Sequence, residues 1–159
     1  MPVEHIIKHK PPDVPPPQVS LELQTINKLF RVVIERMSKI SKNLHIIAYQ
    51  SGKLILAINQ QINLNVKTYF TDVIPRYDIF QPVDGMNIVD VYNQNVAEIK
   101  LDIRKLTTVL LFFNNLQYTN VVGFFSSNEM LVINIELAPQ GLGTVTYFIP
   151  VIILSEEDI

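Results

Sequence analysis

The apolar residues of this chain change their period twice, and that change limits the folds open to it more than any other feature. Over most of the sequence they alternate with polar residues in two-residue steps, the pattern of a strand whose side chains point to opposite faces. Between residues 63 and 71, for example, Leu64, Val66, Thr68 and Phe70 alternate with Asn65, Lys67 and Tyr69. In two stretches the step lengthens to three and four residues. Ile26, Leu29, Phe30, Val33, Met37 and Ile40 recur in this way, which predicts an amphipathic helix of about 15 residues. Ile103, Leu106, Val109, Leu110 and Phe113 do so again behind Asp102, a residue suited to cap a helix running from Ile103 to about Asn114.

The remaining elements read as strands. One runs from Val19 to Leu23, before the first helix. Leu44 to Tyr49 and Lys53 to Asn59 form a hairpin through Gln50-Ser51-Gly52, with glycine supplying the positive φ of the turn. Asn63 to Thr71 follows. Three turn signals, Ile74-Pro75, Gln81-Pro82 and Asp84-Gly85, predict a long irregular loop from Asp72 to Gly85. Strands are expected again at Asn87 to Tyr92, Val96 to Leu101, Thr119 to Phe125, Met130 to Leu137 and Thr144 to Ile149, with Gly141-Leu142-Gly143 as a hairpin turn. Two helices among roughly nine short strands define an α+β domain with mostly antiparallel sheets. No internal repeat is visible at the residue level.

Composition removes several classes of function. With 159 residues, 48% hydrophobic and 18% charged, the chain has enough apolar surface for a core. It has no cysteine, so disulfides, thiolate zinc sites and cysteine nucleophiles are all excluded. The longest apolar run, Phe148 to Leu154, contains Pro150 and is far short of the roughly 20 residues that span a bilayer, so no membrane partner is expected. Met1 to Lys10 lacks a secretory signal, which suits a cytoplasmic or nuclear protein. His5 and His9 stand four residues apart beside prolines with no further ligand, and His45 opens an apolar strand. The acids are scattered. No catalytic residue, metal site or cofactor is expected, and the chain is read as non-enzymatic.

The amino-terminal segment, Pro2 to Lys8, has strand character. Pro11, Pro12, Pro15, Pro16 and Pro17 then favour an extended connector, in which the Pro12 and Pro15 spacing reads as part of a stiff spacer. The other end, Val151 to Ile159, carries Glu156, Glu157 and Asp158 and reads as a solubilising tail.

Three segments carry a family resemblance: Ile40-Ser41-Lys42-Asn43-Leu44, the run Ile99-Lys100-Leu101-Asp102-Ile103-Arg104-Lys105-Leu106, and Tyr147-Phe148-Ile149-Pro150. They resemble landmarks in the carboxy-terminal half of the Hus family, a subunit of the heterotrimeric DNA-damage checkpoint sliding clamp called the nine-one-one complex. The likeness extends from about Pro2 to Pro150 and is most specific at the Asp-Ile-Arg-Lys-Leu helix start. It implies a DNA-clamp domain like that of proliferating cell nuclear antigen, two helices packed on antiparallel sheets. Residues 1–17 would be the last strand of a preceding clamp domain plus the connector, 18–154 the clamp domain and 155–159 the acidic tail. The implied function is a nuclear, non-catalytic part of a ring that encircles double-stranded DNA without sequence preference. The implied partners are two other checkpoint-clamp subunits, a clamp loader, and checkpoint or repair proteins.

The net charge of −2 means that any DNA contact must come from a local concentration of cations. At about 100° per residue, Lys28, Arg31, Glu35, Lys39 and Lys42 fall opposite the apolar side of the first helix and form a mainly basic stripe. In the clamp family helices line the hole, so the resemblance makes Lys28, Arg31, Lys39 and Lys42 the expected phosphate contacts, joined by Arg104 and Lys105. The last two oppose the dipole at a helix amino terminus, an arrangement that function would explain. By the same resemblance Asn63, Asn65, Lys67, Tyr69 and Thr71 lie on the edge strand that meets the next subunit, and Thr144 to Ile149 meets a sister domain. Leu111 and Phe112, off the apolar stripe of the second helix, are expected against the first helix. A second reading keeps the clamp fold as a protein-interaction adaptor that never encloses DNA and turns its basic helix face to an acidic protein.

Overall fold

A computed structural model describes residues 15–60, 64–113 and 116–152 of the chain. The expectations for Pro2 to Lys8, Pro11, Pro12, His5, His9, Asn63 and the acidic tail fall outside the described residues, as does the side chain of Phe113. The elements run β1 (Val19–Glu22), α1 (Asn27–Ser38), β2 (Asn43–Tyr49), β3 (Lys53–Gln60), β4 (Leu64–Phe70), β5 (Ile74–Pro75), α2 (Ile88–Tyr92), β6 (Val96–Asp102), α3 (Ile103–Phe113), β7 (Tyr118–Ser126), β8 (Met130–Leu137) and β9 (Thr144–Pro150). The expected α+β class holds.

The strands build two antiparallel sheets, β5-β1-β7-β8-β9 and β4-β3-β2-β6. Their connectivity contains a repeat that the residues conceal. A leading strand, a helix and a three-strand meander (β1-α1-β2-β3-β4) are followed, after the loop, by the same sequence of elements (β6-α3-β7-β8-β9). Each leading strand joins the other half's meander: β1 pairs with β7, and β6 with β2. The two halves are thus interlocked, and neither completes a sheet alone.

Alternation sends every second side chain inward. Val19 and Leu21 of β1, Leu44, Ile46 and Ala48 of β2, Ala97, Ile99 and Leu101 of β6, and Leu131, Ile133 and Ile135 of β8 meet in one core with the two long helices. From α1 the core receives Phe30, Ile34 and Met37, and from α3 Ile103, Leu106, Val109 and Leu110. The apolar side predicted for α1 is therefore rotated. Leu29 is 65% exposed and Ile40 38%, while Ile34, outside the predicted set, is fully buried. Asp102 caps α3 as expected, its Oδ1 accepting from the Arg104 N–H at 2.9 Å.

One predicted strand is a helix. Asn87 to Tyr92 begins with Asn87 Oδ1 accepting from the Val89 N–H at 2.9 Å, which caps the short α2, and the Tyr92 ring stacks on Phe80 at 4.4 Å. The branched residues Ile88, Val89 and Val91 suit a strand, but a capping asparagine and an aromatic anchor decide for the helix.

On its other side each leading strand is closed by its own half, β1 by the short β5 and the β2–β3 turn and β6 by the β7–β8 turn and the residues after β9. The Ser20 N–H of β1 donates to Gln50 Oε1 at 2.8 Å, and Gln50 Nε2 donates to the Arg76 carbonyl at 2.7 Å. In the other half the Glu98 N–H of β6 donates to Ser127 Oγ at 2.9 Å, the Asn128 N–H donates to the Glu98 carbonyl at 3.1 Å, and the Ile152 N–H donates to the Lys100 carbonyl at 2.7 Å. Gln50 is fully buried. Replacing it with leucine strands one donor and one acceptor, and a loss of about 1–3 kcal/mol in urea unfolding is expected. At the adjoining turn Gly52 has φ +110°, and an added Cβ would lie 2.5 Å from the Val73 carbonyl oxygen. Gly52→Ala is expected to cost about 1–3 kcal/mol in the same measurement.

A candidate nucleic-acid face and two open sheet edges

The helices α1 and α3 run antiparallel, because each end of one is tied beside the opposite end of the other. The Ile103 N–H at the start of α3 donates to the Lys42 carbonyl just after α1, at 3.0 Å. At the far end Asn27 Nδ2, in the first turn of α1, donates to the hydroxyl of Tyr118, shortly after α3, at 2.9 Å.

This arrangement sorts the predicted cations. Lys39, Lys42, Arg104 and Lys105 are exposed and gather at the end where α1 finishes and α3 begins. Arg36, not among the predicted residues, is exposed at the same end. It sits at the flank of the basic stripe on a helical projection, and the end-to-end tie makes it a neighbour of the cluster. Lys28 is exposed at the opposite end, and Arg31 lies between, partly buried. Asn27 to Lys42 and Asp102 to Phe113 together hold seven of the chain's thirteen cations and two of its fifteen acids. These segments therefore carry net +5 in a chain of net −2, and the remainder carries the compensating negative charge. Exposed cations on neighbouring helices suit contact with a polyanion spaced like a phosphate backbone.

Beside Lys28, the other end of the helix layer exposes large apolar side chains. Leu29 is 65% exposed, Leu111 49% and Phe112 56%. Leu111 and Phe112, expected against α1, keep about half of their surface exposed, and the Phe112 ring stands edge-on to Tyr147 of β9, with centroids 5.8 Å apart.

With β1 and β6 closed, β4 and β9 are the meander ends, and among the described residues each pairs on one side only. They occupy equivalent places in the repeat. Asn65, Lys67, Tyr69 and Thr71 are exposed along or just beyond β4, as the alternation predicted. Tyr69 shares the ammonium of Lys53 with Tyr49, Nζ lying 5.5 Å from each ring centroid. Open edges of this kind present backbone N–H and C=O groups that invite strand addition. His45, near the start of β2, is partly exposed and pairs with Glu98 at 2.6 Å.

Two interlocked βαβββ units, with paired helices on one layer and sheets ending in open edges, are the architecture of the clamp fold. Solved clamp structures share the architecture. PCNA from Thermococcus kodakaraensis matches with a TM-score of 0.62 at 14% identity, over 91% of this chain and 52% of that one. The PCNA2–PCNA3 complex from Sulfolobus tokodaii matches with 0.60 at 13%, over 91% and 51%. The β clamp of H. pylori, solved with 5-chloroisatin, matches with 0.55 at 13%, over 93% and 35%. This chain thus spans about half the length of the PCNA chains it resembles. No match was found among curated proteins. The family model for Hus1-like protein matches residues 1–153, and the chain belongs to that family.

Proposed function

We propose that this chain is a non-catalytic subunit of a ring-shaped DNA clamp acting in DNA-damage checkpoint signalling and repair in the nucleus, assembled with two related subunits into a heterotrimer. Residues 18–154 are its clamp domain, and a clamp loader together with checkpoint and repair proteins are its other partners. The net +5 on the two long helices together with the residues that adjoin them, Lys39 to Lys42 and Asp102, is the observation that carries the reading. Lys28, Arg31, Lys39, Lys42, Arg104 and Lys105, with Arg36 added, hold the backbone of double-stranded DNA. No base-reading geometry is needed, since phosphate contacts position a protein without specifying sequence. Non-specific binding of this kind is weak, with Kd on the order of 10⁻⁴–10⁻⁶ M. Weakness permits sliding, and closure of the ring replaces affinity. Strand addition at β4, through Asn63, Asn65, Lys67, Tyr69 and Thr71, joins the next subunit, while β9 meets a sister domain.

One observation favours the adaptor reading: exposed Leu29, Leu111 and Phe112 lie on the same helix layer, and apolar side chains suit a protein partner better than phosphate. Charge reversal at Lys28, Arg31, Lys39 and Lys42 separates the two readings. A clamp loses DNA retention with assembly intact, whereas an adaptor loses assembly and leaves DNA retention unchanged.

A further inference from the structure

A groove of about 230 Å³ crosses the outer face of the five-stranded sheet, away from the helices. Its floor is Val122 and Phe124 of β7. Its walls come from Asn134 and Glu136 of β8, Thr144 of β9, and Arg76 and Asp78 of the loop after β5. Ser20 of β1 also lines it. Because Val19 and Leu21 point into the core, Ser20 points to this outer face.

The Ser20 hydroxyl is fully buried and has no hydrogen-bond partner among the described residues. A buried polar group is normally paired, and leaving one unpaired costs stability. The charge of the groove is specific as well. Arg76 is already engaged within the chain, with Nε and Nη2 on Asp78 at 3.2 and 3.0 Å and Nη1 on Glu22 at 3.2 Å. Glu136 is different: one of its oxygens accepts from Asn120 Nδ2 at 3.1 Å, and no cation pairs with it among the described residues. Glu22, Asp78 and Glu136 against Arg76 leave the groove and its wall two negative charges in excess. An aromatic floor beside an uncompensated carboxylate suits a cation. Ligand sites for whole small molecules measure about 300–1,000 Å³, so this groove is sized for one side chain.

We propose that the groove receives a cationic side chain, lysine or arginine, presented by a partner protein. The alkyl stem lies on Val122 and Phe124, the charged head meets Glu136, and Ser20 Oγ accepts one of its N–H donors. The inference stands on the outer face of the sheet and does not depend on the helices contacting DNA.

Titrating the 159-residue chain with N-acetyl-lysine methylamide and N-acetyl-arginine methylamide, followed by amide NMR, tests it. Saturable shifts are expected at Ser20, Phe124, Asn134 and Thr144 with at least one probe. The neutral N-acetyl-norleucine methylamide should produce none. Glu136→Gln, a partly exposed site where the fold is retained, should weaken binding about tenfold, the size of one charge-assisted hydrogen bond. Ser20→Ala should weaken it as well. Shifts that never saturate, that the neutral probe reproduces, or that persist unchanged in Glu136→Gln would overturn the proposal.

Discussion

Phe30→Ala is expected to lower stability by about 3–5 kcal/mol, the range for truncating a buried phenylalanine. Phe30 is 2% exposed in the first turn of α1 and meets Phe70, at the end of β4, edge-on with centroids 6.1 Å apart. For a domain of this size the loss corresponds to a fall in Tm of about 6–20 °C. Because Phe70 belongs to the open edge strand, amide hydrogen exchange along β4 should rise more than the global destabilisation explains. Thermal melts and exchange measured on the same variant check both statements. A drop below 1 kcal/mol would mean that α1 is not packed as described.

Reversing Lys28, Arg31, Lys39 and Lys42 together to glutamate is expected to flatten the dependence of log K on log salt by about 3.6, since each phosphate contact contributes about 0.9 to the slope on duplex DNA. Affinity for a duplex at low salt should fall by at least about a hundredfold. Stability should change little, because surface substitutions usually stay within about 0.5 kcal/mol each. Lys39 and Lys42 should account for more of the loss than Arg31, which is partly buried. Arg36→Glu alone should weaken binding measurably, since that residue stands with the cationic end of the helix layer. Fluorescence anisotropy at several salt concentrations gives both slope and affinity.

The strands were the most legible part of the sequence, because alternation carries its own register and a one-residue slip would expose the whole inner face. Leu64 to Phe70 shows this directly. The first helix was legible in extent but not in orientation. Leu29 and Ile34 both flank Phe30 on the helical projection, and only the position of the sheets decides that Ile34 goes in and Leu29 stays out. At Asn87 to Tyr92 branched residues imitated a strand, and a local side-chain cap outweighed them.

The interlocked repeat was invisible for a different reason. It lies in which strand pairs with which, and residues of any identity with the right period satisfy it. The cationic end of the helix layer was half legible: Lys39 and Lys42 follow from one helix and Arg104 and Lys105 from the next, but their gathering needs the Ile103 to Lys42 hydrogen bond. The groove on the outer sheet was not legible at all, since its lining comes from four strands and a loop.

Topology offers the most direct test of the central claim, that cationic helices face an enclosed duplex while open sheet edges close the ring. The chain would be assembled with the two related subunits proposed above, loaded by a clamp loader onto a closed circular duplex, and its retention measured at high salt before and after one cut linearises the DNA. The account predicts that the protein stays on the circle, where phosphate contacts alone are screened, and runs off the ends once the circle is cut. Equal retention on circular and linear DNA, or release from both as salt rises, would contradict it.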